Sequence, residues 1–227
     1  MANYFKTLIC LANSRKTSGR CIAGKEVANG VYGPWIRPVS SRPTAELSEY
    51  ERRYENGRDP RVLDIVRVPM MEPRPHGFQT ENHLIDPDKY WTSQGAATWA
   101  DARNALDPLG PLWDNASSSY NGLHDRVNEQ LANPLNGSLR LIRVGDFVIN
   151  VVTEGEEFGN GKRRLRGQFS HLGVHHLLSI TDPVTERTYY AGQNGSFHVG
   201  DAILCVSLGE PYQGYAYKLV ASVLLPL

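Results

Sequence analysis

The sequence predicts a mostly β protein: two small β-barrels in tandem with a helical insert between them. Three observations lead there. Short β-rich runs bounded by Gly, Pro, Asn and Asp recur through residues 4–85 and again from residue 139 onward. Roughly five such runs fall in each half, as a small five-stranded barrel requires. Residues 87–135 lose this texture and take on helical spacing. The expected division is a first barrel over 1–86, an acidic helical insert over 87–135 and a second barrel over 136–227.

Each element has its own justification. Tyr4–Ala12 (YFKTLICLA) is apolar and short enough for a buried strand. Asn13–Gly19 (NSRKTSG) reads as a polar loop, and Arg20–Val27 resumes as a strand. Asn29-Gly30 is a turn signal before a third strand at Trp35–Val39, where Pro38 suggests an edge or a bulge. Thr44–Tyr54 is expected to be a short helix with Thr44 as N-cap, ended by Asn56-Gly57. Arg61–Met70 alternates as a strand, and Phe78–Ile85 follows as another after the Pro73–Gly77 break.

In the insert, Trp99, Ala102 and Leu106 share one helical face, as do Leu123, Val127 and Leu131. Pro108–Gly122 reads as a loop between these two helices. Six further strands are expected at 139–144, 147–153, 162–170, 174–180, 202–208 and 215–225. Five strands per half is the count of an oligonucleotide-binding (OB) type of barrel. The halves share no repeat in residue identity, so the duplication is structural only.

The 227 residues carry 24 Lys+Arg and 24 Asp+Glu, a formal net charge of zero. This neutrality is a cancellation. Residues 1–73 hold 12 basic and 8 acidic side chains, residues 74–135 hold 4 and 8, and residues 136–227 hold 8 and 8. Composition excludes wholesale disorder. No apolar run approaches the ~18 residues that span a bilayer, so no membrane partner is expected. The opening MANYFK lacks the order of a leader peptide, and three cysteines (Cys10, Cys21, Cys205) without Cys-x-x-Cys spacing suit buried free thiols. Both point to a cytoplasmic protein.

The segment Lys6–Glu26 (KTLICLANSRKTSGRCIAGKE) followed by Trp35–Ser40 (WIRPVS) resembles a family of prokaryotic dual-OB proteins. Phe78–Asp86 and Leu177–Pro183 resemble it more loosely. The resemblance implies two OB-like barrels in tandem, binding of nucleic acid or a nucleotide-like ligand, and a setting in phage defence and other conflict systems. It carries no catalytic residues.

The residues themselves point the same way. Arg15, Lys16 and Arg20 share a short turn with Asn13 and Ser14, a set that can hydrogen-bond and neutralise phosphate. The spacing of a Walker loop is missing. Trp35 and Arg37, two apart on a strand, share a face, so Trp35 can stack a base while Arg37 meets a neighbouring phosphate. The alternative is a core Trp35 and a merely solvated loop. Lys162, Arg164 and Arg166 form a row of cations along one strand face. The competing reading has them satisfied by the acidic turn Glu154, Glu156 and Glu157. Gln79, Asn82 and His83 are secondary candidates for reading a base edge.

His171, His175 and His176 with Asp182 suggest a metal set, but His176 falls on the opposite strand face, and no metal or cofactor is expected. No nucleophile with a base partner, Gly-x-Ser-x-Gly motif or carboxylate pair stands out, so no catalytic residue is assigned. The expected role is binding of single-stranded nucleic acid or a nucleotide, as a sensor or adaptor in prokaryotic defence. Two alternatives stay open. One is a pocket for a nucleotide second messenger; the other is a module that docks a protein effector through Trp91, Trp99, Trp113 and Tyr120.

Overall fold

The computed structural model describes residues 4–226. Met1–Asn3, part of the opening used above to argue against a leader, lie outside the described residues. The chain divides into two compact units, Met1–Ala105 with Asn136–Ser138 and Leu106–Leu135 with Leu139–Leu227. The stretch 87–135 is shared between them, its residues up to Ala105 folding with the first unit and the rest with the second.

The first unit runs β1 (Tyr4–Lys16), β2 (Gly19–Ala28), β3 (Val31–Val39), α1 (Glu49–Arg52), β4 (Asp64–Pro73), β5 (Asn82–Ile85), β6 (Thr92–Ala96) and α2 (Trp99–Asn104). β1 pairs with β2, β2 with β3, β3 in parallel with β5, β5 with β4, and β4 returns to β1. Five strands thus close on themselves, which removes the exposed edges that invite stray pairing. β6 pairs with β4 on the edge opposite β1, the same edge that β5 occupies further along. Leu8, Cys10, Ile22, Ile36, Val66, Val68, Met70 and Ile85 fill the interior with Leu47, Tyr54 and Trp91. Between β2 and β3, Asn29 and Gly30 have φ of 52° and 74°, the paired positive angles of a type I′ hairpin turn.

Two local expectations are corrected. Asn13–Lys16 is strand, not loop, and the turn shrinks to Thr17-Ser18. The β1–β2 ladder outruns the barrel core there, so the apolar alternation that marks a strand stops while the hydrogen bonding continues. The expected Thr44–Tyr54 helix is only Glu49–Arg52, and its N-cap is Ser48. Ser48 Oγ accepts from Glu51 N while the Glu51 carboxylate accepts from Ser48 N at 2.8 Å, a reciprocal capping box. Thr44 instead donates to Glu46, and Ala45 has φ of 57°, which no helix admits.

The second unit runs β7 (Arg126–Asn128), α3 (Glu129–Ala132), β8 (Leu139–Glu154), β9 (Lys162–His171), β10 (Val174–Ile180), α4 (Pro183–Tyr190), β11 (Gly195–Leu208) and β12 (Tyr215–Leu224). β8, β9, β10, β12 and β11 close in that order, with β10 and β12 parallel. Counting strands from the start of each ring, both follow the order one-two-three-five-four with three and five parallel. The topology repeats where the residues do not. Phe147, Leu165, Phe169, Leu178, Leu204 and Val220 are buried in this second ring.

The expected break at Gly145-Asp146 does not occur; β8 passes through it while the partner β11 bulges at His198–Ala202. The Leu123–Leu131 helix is replaced by β7 and the one-turn α3. α4 was not anticipated, although Asp182 caps it and Pro183 opens it. All three cysteines are free, with Cys10 and Cys205 buried and Cys21 half-buried. Burial first, and then the nearby Asp64 carboxylate, push the Cys10 thiol up to about 12, so it carries no thiolate chemistry near neutrality.

Candidate nucleic-acid interface

The tip of the β1–β2 hairpin concentrates charge. Arg15 stands directly opposite Arg20 in the ladder, and Lys16 opposite Gly19. Alternation therefore places Arg15 and Arg20 on one face of the hairpin and Lys16 on the other. Backbone hydrogen bonds of 2.9 Å from Arg20 N to Leu47 O and from Leu47 N to Arg20 O lay the segment before α1 along β2. A Cβ on Gly19 would stand 2.5 Å from Leu47 O, so only glycine admits this approach. Gly19 is committed to this internal contact.

That bridge carries α1 to the hairpin tip. Arg15, Thr17, Ser18, Gly19, Arg20, Glu49 and Arg52 line one cavity of about 290 Å³. Arg52 was not anticipated; it reaches Leu47 O at 3.3 Å and Asp59 at 2.8 Å. No linear spacing marks it, because the β-bridge alone brings it beside Arg15. Beneath the tip Glu46 is buried and accepts from Thr44 and, at 3.3 Å, from Ser18. The Thr44 bond above all, aided by Ser18 and the Arg42 guanidinium, holds the Glu46 carboxyl below the usual carboxylate range.

The other residues suggested for phosphate or base contact are placed elsewhere. Asn13 donates to Pro60 O at 2.8 Å, and the buried Ser14 donates to Cys21 O, so both are committed to the barrel wall. Trp35 and Arg37 do flank the core residue Ile36, but Arg37 turns inward and is only 3% exposed. It donates to Ser138 Oγ at 2.8 Å and lies 3.2 Å from Glu81. Ser138 in turn donates to Glu81. A cation so enclosed cannot meet an external phosphate. Trp35 is half-buried under the Lys25 ammonium, 5.6 Å from its ring centre, and lies outside the hairpin cavity.

Gln79 and Asn82 are buried and meet each other at 3.4 Å, while His83 Nδ1 sits 2.7 Å from Tyr4 Oη. None of these is displayed for a base edge. In the second unit Lys162 and Arg164 are exposed, whereas Arg166 is buried in a two-pronged pair with Glu154 at 2.8 and 3.0 Å. The row of three is thus two. Arg163, on the inner face, donates to Tyr190 O, at the last residue of α4, and to Gly192 O just beyond it.

His176 is buried, stacked on Phe169 at 5.2 Å, while His171 meets Gly110 O and His175 meets Ser170. Among the insert aromatics Trp91 and Trp113 are buried, Trp99 is half-buried, and Tyr120 is exposed. A docking surface of all four does not form. Among the described residues no helix is long and apolar enough to cross a membrane.

Two closed rings with strand order one-two-three-five-four define a tandem OB-barrel protein. The chain belongs to the dual OB-containing domain family, whose model matches residues 6–223. No curated protein matches it. Among solved structures it is similar to the crystal structure of tetrameric p202 HIN2, at 8% identity and a TM-score of 0.30, over 95% of this chain and 87% of that one.

Proposed function

We propose that the first unit binds single-stranded nucleic acid through the β1–β2 hairpin and α1. The observation that carries this is the cavity lined by Arg15 and Arg20 with the hydroxyls of Thr17 and Ser18, Arg52 forming part of its wall. A guanidinium is a phosphate-binding group able to hold two oxygens at once. Arg15 and Arg20 supply it, while Arg52, buried and held by Asp59 and Leu47 O, adds only its charge from the cavity wall. In OB barrels generally, the loop joining the first two strands contributes to the oligonucleotide site, and the β1–β2 hairpin is that loop. With two phosphates neutralised on a single strand, log K should fall against log salt with a slope of about −1.4. Fluorescence anisotropy with a labelled single-stranded oligonucleotide across a salt series tests the reading. Binding that ignores salt would overturn it.

A second reading, a single nucleotide or nucleotide second messenger, is favoured by the cavity's size and by Glu49. A volume of about 290 Å³ suits one nucleotide's phosphates, and the Glu49 carboxylate in the lining opposes a long polyanion. Thermal shift with mononucleotides against oligonucleotides separates the two. The resemblance to prokaryotic conflict-system proteins supports a sensor or adaptor role, in which occupancy of this site is passed to a protein effector. Pull-down from a cell extract with and without oligonucleotide tests that step.

A further inference from the structure

Beside the cationic cavity lies a cluster that the reading above leaves unused. Tyr54 and Trp91, both core residues, form a parallel β-bridge, and Trp91 N donates to Arg53 O at 3.3 Å. The residues just before them, Arg53 and Tyr90, are thereby brought side by side on the outside. The Arg53 guanidinium lies over the Tyr90 ring at 5.3 Å, with Nη2 at 3.5 Å from the Tyr90 hydroxyl. It also lies over the Tyr50 ring at 4.1 Å. Tyr50 comes from α1, where Glu49 and Arg52 face the hairpin cavity while Tyr50 and Arg53, again three apart, form the neighbouring stripe.

Three features make this cluster unlike ordinary packing. Tyr50 is 64% exposed and Tyr90 50% exposed, so both rings keep much of their surface in water. Among the described residues Arg53 forms no ion pair, and its Nε meets no hydrogen-bond partner. α1 carries Tyr50 on one stripe and Arg52, in the wall of the phosphate cavity, on the next, so a stacking ring lies beside the cationic site. A polynucleotide groove needs this combination of cations along the backbone and aromatic or guanidinium planes under the bases.

We infer that Tyr50, Arg53 and Tyr90 form a stacking platform for unpaired bases of the strand whose phosphates sit at Arg15 and Arg20. This rests on the hairpin site binding single-stranded nucleic acid. Stacking on a π face is tolerant of sequence, so the platform selects for unpaired bases of any identity. A duplex, whose bases are already stacked, gains nothing from it.

The test compares a twelve-residue oligothymidylate with an abasic phosphodiester strand of the same length. The wild-type chain is expected to bind the thymidylate more tightly. Tyr50→Ala and Tyr90→Ala should each reduce thymidylate affinity by on the order of ten- to a hundredfold, leaving abasic affinity and the salt slope unchanged. Tyr50→Phe, which keeps the ring, should bind as wild type does. Both positions are exposed, and an unchanged thermal midpoint checks that the variants fold. Alanine variants that bind thymidylate as well as wild type would overturn the platform and leave the phosphate site standing. A wild-type chain that binds neither strand would overturn the phosphate site and the platform with it.

Discussion

Arg15 and Arg20 face each other across the β1–β2 ladder, two like charges at directly opposed positions. Such a pair adds nothing to sheet stability on its own account, since like charges so placed repel. Because Arg15 is exposed, Arg15→Ala should shift unfolding by no more than about 0.5 kcal/mol in urea denaturation. In anisotropy titrations the same variant should weaken binding to every single-stranded sequence alike and flatten the salt slope by about 0.7. A loss confined to one sequence would mean that Arg15 reads bases.

Glu49 sets a second, opposite expectation. It lines the same cavity as Arg15, Arg20 and Arg52, where a carboxylate repels the incoming phosphate. Glu49→Gln keeps the shape and removes the charge. Affinity for oligonucleotides should rise severalfold at low salt and converge with wild type at high salt, as screening removes the repulsion. Unchanged affinity at low salt would place the phosphates away from Glu49.

Arg37 and Glu81 belong to stability instead. The pair is buried, 3.2 Å apart, with Ser138 hydrogen-bonded to both. Removing one partner of such a pair strands the other charge in the interior, at a cost of about 3–5 kcal/mol. Glu81→Gln should therefore lower the urea midpoint sharply while the folded fraction keeps its salt slope. The double variant Arg37→Met, Glu81→Leu should recover much of the loss, because apolar replacements leave no stranded charge.

What was legible in the sequence divides along physical lines. Val174–Ile180 is a strand with the bounds its alternation suggests, and Asn29-Gly30 supplies the turn its chemistry requires. Signals of this kind are local. The fate of Arg37 is not, because Ser138 lies 101 residues away and no spacing announces that an arginine on a strand will turn inward to meet it. Arg52 reached the cavity through the Arg20–Leu47 bridge, again a tertiary event. The polar run Asn13–Lys16 misled for a different reason: a hairpin that projects past its core keeps its ladder but loses its apolar alternation. α4 was readable, since an Asp182-Pro183 pair is a helix-start signal in its own right.

His176 gives the second unit a defined response to acid. The ring is 1% exposed and stacked on Phe169. Burial first, then the Lys218 ammonium, lower its pKa from 6.5 to about 4, with the His124 backbone opposing the shift and the charge of His171 adding to it. The folded state thus keeps the ring neutral where the unfolded chain would protonate it. Between 6.5 and about 4 the unfolded chain binds the extra proton, so stability falls as pH falls through that window and levels off below it. His176→Phe keeps an aromatic ring against Phe169 and removes the titration. Urea midpoints measured at steps from pH 7.5 down to pH 4 should fall less steeply for the variant than for wild type. Equal slopes in the two proteins would show that His176 titrates alike in the folded and unfolded chain, and that its burial does not set the acid response.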